Sequence, residues 1–221
     1  LPYAHLETDA VLSLDDDIFL RADEILFAYR VWRENRERIV GFPARYHAWN
    51  LTSSSFVYQS HLTCEYSLVL TGAAFYHRFY HYVYTNEMSS LIRELVDELR
   101  NCEDIAFNML VAHVTRRAPI KVTSKWNFYC TECGESGPTP TTNLTRLNAE
   151  INNSNMNDTQ RSNDSLPLSL QLGHYRKRSE CIQRFAQIYG YNPLVYSQFR
   201  ADSVLYRTKI PIDKQKCFKL I

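Results

Sequence analysis

The feature that most constrains this chain is a run of three aspartates, Asp15 to Asp17, which directly follows the apolar segment Ala10–Leu14. The apolar segment is typical of a buried strand, and the residues from Asp23 to Trp32 repeat their apolar side chains at helical spacing. A strand that ends in acids and leads into a helix is typical of α/β proteins, which bind ligands at the carboxyl ends of their strands. The sequence therefore predicts an α/β fold with a ligand site near the aspartates.

Further segments continue this alternation of strands and helices. Apolar residues at helical spacing predict helices over residues 87–99, 103–114 and from 176 onward. Short apolar runs predict strands at residues 38–42, 66–72 and 119–123, with strand-like composition also at 193–196 and 204–206. The aromatic run at residues 75–84 is more typical of a core than of a sugar-binding platform. We therefore expect a mixed sheet flanked by helices.

Length and composition favour one ordinary globular domain over residues 1–221. The chain is 45% hydrophobic, and its 25 basic and 24 acidic residues leave a net charge of +1, which removes the broad electrostatic argument for a nucleic-acid or membrane-surface partner. No apolar stretch approaches the roughly 20 residues of a membrane span. Because the sequence does not begin with Met, we expect a piece of a longer protein, with any targeting segment or membrane anchor outside it.

Cysteines and glycosylation sequons favour a lumenal or secreted setting. Six cysteines in this length suggest a few disulfides that support a real core. The candidate glycosylation sites are the sequons at Asn50, Asn143, Asn152, Asn157 and Asn163. Chance sequons in a cytosolic polar loop are the alternative. Residues 130–172 lack periodicity, and we expect a disordered, glycosylated insertion there.

The aspartates themselves allow two interpretations. A run of acids is often a solvated turn or a helix cap. At the end of a strand, however, Asp15, Asp16 and Asp17 offer the carboxylates that Mg²⁺ and Mn²⁺ use together with substrate phosphate oxygens. The sequence has no Gly-rich phosphate loop, no G-x-S-x-G elbow and no HExxH motif. A divalent cation that carries a diphosphate is therefore the ligand we expect.

A second group of acids opens the predicted helix over residues 103–114. Asn101, Glu103 and Asp104 could serve only as a helix cap with dipole-matched acids. They could also face the same cleft as the aspartates, where fixed carboxylates orient sugar hydroxyls or stabilise an oxocarbenium-like transition state. The basic run at residues 174–178 allows a similar choice. A solvated helix start is the plain interpretation, but cations there oppose the helix dipole and need another reason.

The pair Cys130 and Cys133 raises zinc binding or thiol redox chemistry. A single CxxC without a second pair is a weak signal for either. Disulfides between these two cysteines, or from them to Cys64 or Cys217, fit the composition better, and the sequence does not choose among them.

Five segments carry a resemblance to a known family: DDD at residues 15–17, ERIVGFPAR at 37–45, LVLTGAA at 68–74, NCEDI at 101–105 and PIKVT at 119–123. Together they resemble the carboxy-terminal glycosyltransferase domain of the exostosins. The resemblance covers most of the chain outside the insertion, and this ordered agreement is far more specific than one acidic triplet. Within the family, the CxxC pair and the terminal residues 216–221 most resemble the exostosin-like three branch.

The resemblance implies a GT-A fold whose first nucleotide-binding strands are absent from this sequence, so we expect weak transfer by this piece alone. It implies Mn²⁺-dependent, retaining transfer of N-acetylglucosamine (GlcNAc) from UDP-GlcNAc, in α linkage, onto a heparan sulfate precursor, either the linker tetrasaccharide or the growing chain. It also implies a type II membrane protein in the lumen of the Golgi or endoplasmic reticulum, able to form homo- or hetero-oligomers with other exostosins.

The resemblance also implies roles for residues on the donor side of the site. Asp17 would coordinate Mn²⁺, and Asp15 and Asp16 would hold the uridine and ribose side of the donor. Glu103 would contact the donor sugar, and Asn101 would also bind substrate.

On the catalytic side, the resemblance implies that Asp104 is the carboxylate near the anomeric carbon. Arg178 would meet the diphosphate or the reacting sugar, and Cys102 would pair with Cys181. No certain nucleophile for a covalent double displacement is evident, so a front-face route is our hypothesis. The competing interpretation is a catalytically weak or inactive glycosyltransferase-like module that binds glycans or partner proteins.

Overall fold

The computed structural model describes residues 3–16, 18–60, 64–123 and 173–202, which contain both strands and helices. The strands are β1 (Ala10–Leu14), β2 (Val40–Gly41), β3 (Ala44–Asn50), β4 (Ser55–Gln59), β5 (Leu68–Val69), β6 (Ala73–His77), β7 (Ile120–Thr123) and β8 (Arg200–Asp202). The helices are α1 (Ala22–Arg33), α2 (Phe79–Tyr82), α3 (Ser90–Leu99), α4 (Glu103–Thr115) and α5 (His174–Tyr189), with a π-helical turn at Val83–Glu87. Within these ranges, no helix has the length and apolar character needed to cross a membrane.

The larger sheet has five strands in the order β1-β6-β2-β7-β8. Strand β6 runs antiparallel to β1 and to β2, whereas β7 runs parallel to β2 and to β8. A smaller antiparallel sheet has the order β4-β3-β5. The predicted mixed sheet flanked by helices is therefore confirmed.

Strand β6 shows how helices cover both faces of the larger sheet. Phe75 belongs to an apolar cluster with Trp32 of α1, whereas Tyr76 belongs to a cluster with Phe107 of α4. Successive side chains of a strand point to opposite faces, so both faces of β6 are buried and its sequence reads as a continuous apolar run. Phe75, Tyr76 and Tyr80 are buried, as predicted for the aromatic run, whereas Phe79 and Tyr82 of the same run are exposed.

A third apolar cluster joins α4 and α5 to the smaller sheet. Helix α4 buries every residue from Asp104 to Ala112, as its all-round apolar sequence predicts. Cys102 and Cys181 lie within the same cluster and are fully buried. This packing fixes the N-terminus of α4 against α5, beside the predicted site.

Several elements differ from their predictions. The predicted strands at residues 38–42 and 66–72 shorten to β2 and β5, and residues 193–196 form no strand because side-chain contacts hold them instead. Strands β3, β4, β6 and β8 lie where none was predicted, and the predicted segment 204–206 lies outside the described residues. On α1, Ala28 and Trp32 are buried, whereas the apolar side chains of Leu26 and Tyr29 are exposed. The expected insertion at 130–172 lies outside the described residues.

Candidate active site

A buried ion pair between α4 and α5 forms the centre of the candidate site. Arg178 Nη2 donates a hydrogen bond to Asp104 Oδ2, and each residue is only 4% exposed. Arg178 Nη1 also donates to Asn101 Oδ1 at 3.2 Å. Burial has the largest single effect and lowers the pKa of Arg178, but the charge and hydrogen bond of Asp104, together with Tyr58 and Glu103, outweigh it and raise that pKa. The guanidinium therefore keeps its positive charge inside the protein.

A disulfide holds the two halves of this pair together. Cys102 and Cys181 are bonded with their Cα atoms 6.4 Å apart, across a sequence separation of 79 residues. Cys102 lies two residues before Asp104, and Cys181 lies about one helical turn after Arg178. The bond that the resemblance implied is present beside Arg178, whereas Arg176 and Lys177 of the basic run are exposed, as at a solvated helix start.

The entrance to α4 is more than a simple helix cap. The N-cap residue is Cys102, which has a left-handed φ of 76° and makes no side-chain capping bond. Asn101 Oδ1 accepts hydrogen bonds from the Cys102 N–H, at 2.8 Å, and from Arg178. Asp104 Oδ1 accepts one from the Ile105 N–H at 2.7 Å. The plain capping interpretation is wrong for Asn101, whose side chain braces the buried guanidinium.

Glu103 links this ion pair to the aspartate run. Burial is the main cause that raises the pKa of Glu103, the charge of Asp104 adds to it, and Asp15 acts in the same direction. Arg178 opposes these effects. The Asp15 carboxylate at the end of β1 thus acts electrostatically on Glu103, which is exposed in the first turn of α4.

The loop after β5 determines where Asp15 lies. Asp15 and Asp16 are exposed at the end of β1, and the Asp15 N–H donates to the Gly72 carbonyl at 2.8 Å. A Cβ at residue 72 would lie only 2.2 Å from Asp15 Oδ2, so the carboxylate occupies the space that a side chain would fill. Asn108 of α4 anchors the same loop, because its side chain hydrogen-bonds both backbone groups of Val69.

The oxygen ligands at this edge fit a hard divalent cation. Asp15 and Asp16 offer only carboxylate oxygens, which suit Mg²⁺ or Mn²⁺. Within the described ranges, no group of three or more His, Cys, Asp or Glu side chains is arranged to hold a metal ion. A cation here would therefore need additional ligands such as substrate phosphate oxygens. Asp17, the predicted metal ligand, lies outside the described residues.

Two residues at the ion pair escaped prediction as site residues. His174 Nδ1 lies 3.2 Å from Asn101 Nδ2, and burial together with the charge of Arg178 lowers the pKa of His174. The ring of Tyr58 lies under the Arg178 guanidinium, with 4.5 Å between the ring centre and Cζ. His174 belongs to the basic run that the sequence singled out. Tyr58 lies in a strand that the sequence pattern did not reveal, so no signal pointed to it.

Only one of the five glycosylation sequons falls within the described residues. Asn50 is exposed at the end of β3, and its Oδ1 accepts a hydrogen bond from the Thr52 N–H at 2.9 Å. Its glycosylation stays a prediction. Cys64 is disulfide-bonded. The remaining predicted positions lie outside the described residues: Asn143, Asn152, Asn157, Asn163, Cys130, Cys133 and Cys217.

Comparison with known proteins agrees with the resemblance. The glycosyl transferase family 64 domain matches residues 1–206. The chain is 48% identical to the Caenorhabditis elegans exostosin-like-3 homolog over 221 residues, which is all of this chain and 23% of that protein. It is 43% identical to Drosophila melanogaster exostosin-1 over 95% of the chain and 24% of the relative, and 43% identical to human exostosin-2 over 98% and 26%. The chain therefore spans about a quarter of the length of these relatives.

Proposed function

Because the chain belongs to glycosyl transferase family 64, we propose that it is the catalytic domain of a longer enzyme that transfers GlcNAc from UDP-GlcNAc. The transfer proceeds with retention, in α linkage, onto a heparan sulfate precursor, either the linker tetrasaccharide or the growing chain. The observation that carries this proposal is the buried pair of Asp104 and Arg178, fixed by a disulfide and adjoined by Glu103 and Asp15. Opposite charges in a buried setting are what a sugar transfer with a charged leaving group requires.

The aspartate run forms the donor side of the proposed site. Asp17 is the proposed Mn²⁺ ligand, and Asp15 and Asp16 hold the uridine and ribose side of the nucleotide. When bound, Mn²⁺ supplies Lewis-acid stabilisation of the charge on the diphosphate. Support comes from the Asp15 carboxylate, which lies over Gly72 and acts electrostatically on Glu103.

The ion pair forms the catalytic side. Arg178 offsets negative charge on the departing UDP, and Asp104 stabilises positive charge that develops on the sugar. Glu103, which is exposed in the first turn of α4, contacts the donor sugar and accepts a hydrogen bond from one of its hydroxyls. Asn101 fixes the guanidinium and adjoins the bound sugar.

The bonds made by Asp104 favour a front-face route over a covalent glycosyl-enzyme. Its Oδ2 accepts from Arg178 and its Oδ1 accepts from the Ile105 N–H, and the residue is buried, so attack by either oxygen would weaken these bonds. In the front-face route the acceptor hydroxyl bonds to the anomeric carbon as the bond to UDP breaks on the same side. The hydroxyl proton passes to a phosphate oxygen of the leaving UDP.

The wider setting is part of the same proposal. The domain has a GT-A fold and works in the Golgi or endoplasmic reticulum lumen as part of a type II membrane protein. It associates with itself or with other exostosins. A buried disulfide and an exposed sequon at Asn50 support an oxidising, lumenal compartment.

A donor panel tests the proposal directly. The full-length protein is assayed with Mn²⁺ and with UDP-GlcNAc, UDP-GalNAc and UDP-glucuronate, beside its Asp17→Ala and Asp104→Asn variants. We expect transfer from UDP-GlcNAc and its loss in both folded variants. A folded wild-type protein that transfers from no donor would instead support a module that binds glycans or proteins. A glycosyl adduct trapped on Asp104 or Glu103 would exclude the front-face route.

A further inference from the structure

The ring of Tyr58 covers one face of the buried guanidinium. Tyr58 is 6% exposed, and its ring centre lies 4.5 Å from Arg178 Cζ, within the range of a cation–π contact. Burial is the main cause that raises the pKa of Tyr58, while Arg178 and Arg45 act against it. The phenol therefore stays neutral and places a ring face, not a second charge, against Arg178.

The hydrogen bonds of Arg178 use only part of its guanidinium group. Nη2 donates to Asp104 and Nη1 donates to Asn101, while Nε has no hydrogen-bond partner among the described residues. These two bonds join the guanidinium to the start of α4, and the Tyr58 side chain contacts it from strand β4. A packed aromatic face restrains the guanidinium from tilting.

Hydrogen bonds join strand β4 to α5 and fix the position of the Tyr58 ring relative to Arg178. The Tyr58 N–H donates to Ser179 Oγ at 3.0 Å, and the Phe56 N–H donates to Gln183 Oε1 at 3.2 Å. Ser179 follows Arg178 directly in the sequence, so the same turn of α5 carries the guanidinium and the anchor of the strand.

We propose that Tyr58 is a positioning residue for transfer, whose ring holds the Arg178 guanidinium in the plane that serves the leaving diphosphate. This inference rests on the proposed function, because it acts through a residue of the proposed site. It assigns the larger effect to the ring face; the Tyr58 hydroxyl also interacts with Arg178, and Tyr58→Phe measures its smaller share.

Kinetics of the full-length protein test the inference with three variants. Tyr58→Leu removes the ring, Tyr58→Phe keeps it, and Phe56→Leu removes a neighbouring ring from the same strand. We expect kcat for transfer from UDP-GlcNAc to fall about tenfold in Tyr58→Leu, with KM changed less than threefold. A cation–π contact contributes a factor of about two when exposed and up to about thirty when desolvated. Tyr58→Phe and Phe56→Leu should stay within about twofold of the wild type.

The outcomes separate this inference from the proposed function. An inactive wild-type protein overturns both together. An active wild type whose Tyr58→Leu variant keeps its kcat, or whose Tyr58→Phe variant loses as much as Tyr58→Leu, overturns this inference alone. If Tyr58→Leu does not fold by circular dichroism, Tyr58→Met replaces it, because Met fills irregular space without a ring face, and the same two results decide.

Discussion

Asn108 of α4 hydrogen-bonds both backbone groups of Val69 in β5. Its Oδ1 accepts from the Val69 N–H at 3.0 Å, and its Nδ2 donates to the Val69 carbonyl at 2.8 Å. Replacing Asn108 with Ala leaves two buried backbone groups unpaired, and we expect the free energy of unfolding to fall by about 3 kcal/mol. Urea unfolding monitored by circular dichroism measures this change.

A single-bond asparagine supplies the control for that experiment. Asn35 Nδ2 donates one hydrogen bond, to the Val31 carbonyl at 2.9 Å, in a partly buried position. Asn35→Ala should therefore cost about 1 kcal/mol. Equal losses of unfolding free energy in the Asn35→Ala and Asn108→Ala variants would contradict the view that Asn108 joins α4 to the end of β5, which precedes the loop to Gly72.

Removal of the disulfide should weaken the whole domain. The bond between Cys102 and Cys181 closes a loop with a sequence separation of 79 residues. The chain-entropy model predicts that the double Ala variant loses about 4 kcal/mol of unfolding free energy. Substitution is preferable to a reducing agent, because Cys64 is also disulfide-bonded. A loss below 1 kcal/mol would show that packing alone holds α4 against α5.

The buried pair of Asp104 and Arg178 should show strong coupling. Removing one partner leaves a buried charge uncompensated, so Asp104→Leu and Arg178→Met should each cost about 3–5 kcal/mol of unfolding free energy. The double variant should cost clearly less than the sum of the two. Urea unfolding of the wild type, the two single variants and the double variant gives the coupling energy of this double-mutant cycle.

An exposed ion pair calibrates this cycle. Arg117 Nη1 lies 2.9 Å from Glu37 Oε1, and both side chains are open to solvent. The coupling between Arg117→Met and Glu37→Gln should stay below about 1 kcal/mol. A similar small value for Asp104 and Arg178 would mean that water reaches the buried pair.

Elements with a strong local pattern were predictable from the sequence. Helix α4 is apolar all round and is buried along almost its entire length, and the apolar segment before Asp15 is β1. The bounds of the short strands β2 and β5 were not predictable within their longer predicted runs, because long-range contacts determine them. Strand β5 depends on Asn108, which lies 39 residues away.

The hairpin of β3 and β4 was not predicted from the sequence for a similar reason. Its cross-strand pairs join His47 to Tyr58 and Trp49 to Phe56, a mixture of polar and aromatic residues that has no clear alternation. The backbone of β4 then depends on side chains of α5 more than a hundred residues further along the chain. Contact between Asp104 and Arg178 spans 74 residues and was reached through the family resemblance, because local pattern carries no information about it.

Gly72 should prove necessary for the donor side of the site. A Cβ at this position would lie 2.2 Å from Asp15 Oδ2, so Gly72→Ala must displace the carboxylate. Under the proposed function, we expect Mn²⁺-dependent transfer by the full-length protein to fall at least tenfold, with a small change in stability because Asp15 is exposed. Gly190→Ala is the control: its φ of 75° makes it cost about 1 kcal/mol of stability, but it lies in open space. Unchanged transfer in Gly72→Ala would show that the position of Asp15 does not matter.

His47 should make the stability of the domain fall in acid. The ring is 2% exposed, and its Nδ1 lies 2.6 Å from Ser67 Oγ. Its Nε2 lies 3.0 Å from Asn192 Nδ2 and 2.8 Å from the Tyr196 hydroxyl. Because the Asn192 amide is a donor, Nε2 must accept, and the neutral ring fits the site.

Burial lowers the pKa of His47 from 6.5 to about 4, so the unfolded chain binds a proton more readily than the folded one. The stability that the neutral His47 ring contributes is fully present above pH 6.5 and is lost as the pH falls toward 4. The shift corresponds to about 3 kcal/mol of unfolding free energy. Urea unfolding at pH 7 and pH 4.5 measures the loss, and His47→Gln, which does not titrate, should reduce it by most of that amount. An equal pH dependence in both proteins would assign the effect to other groups.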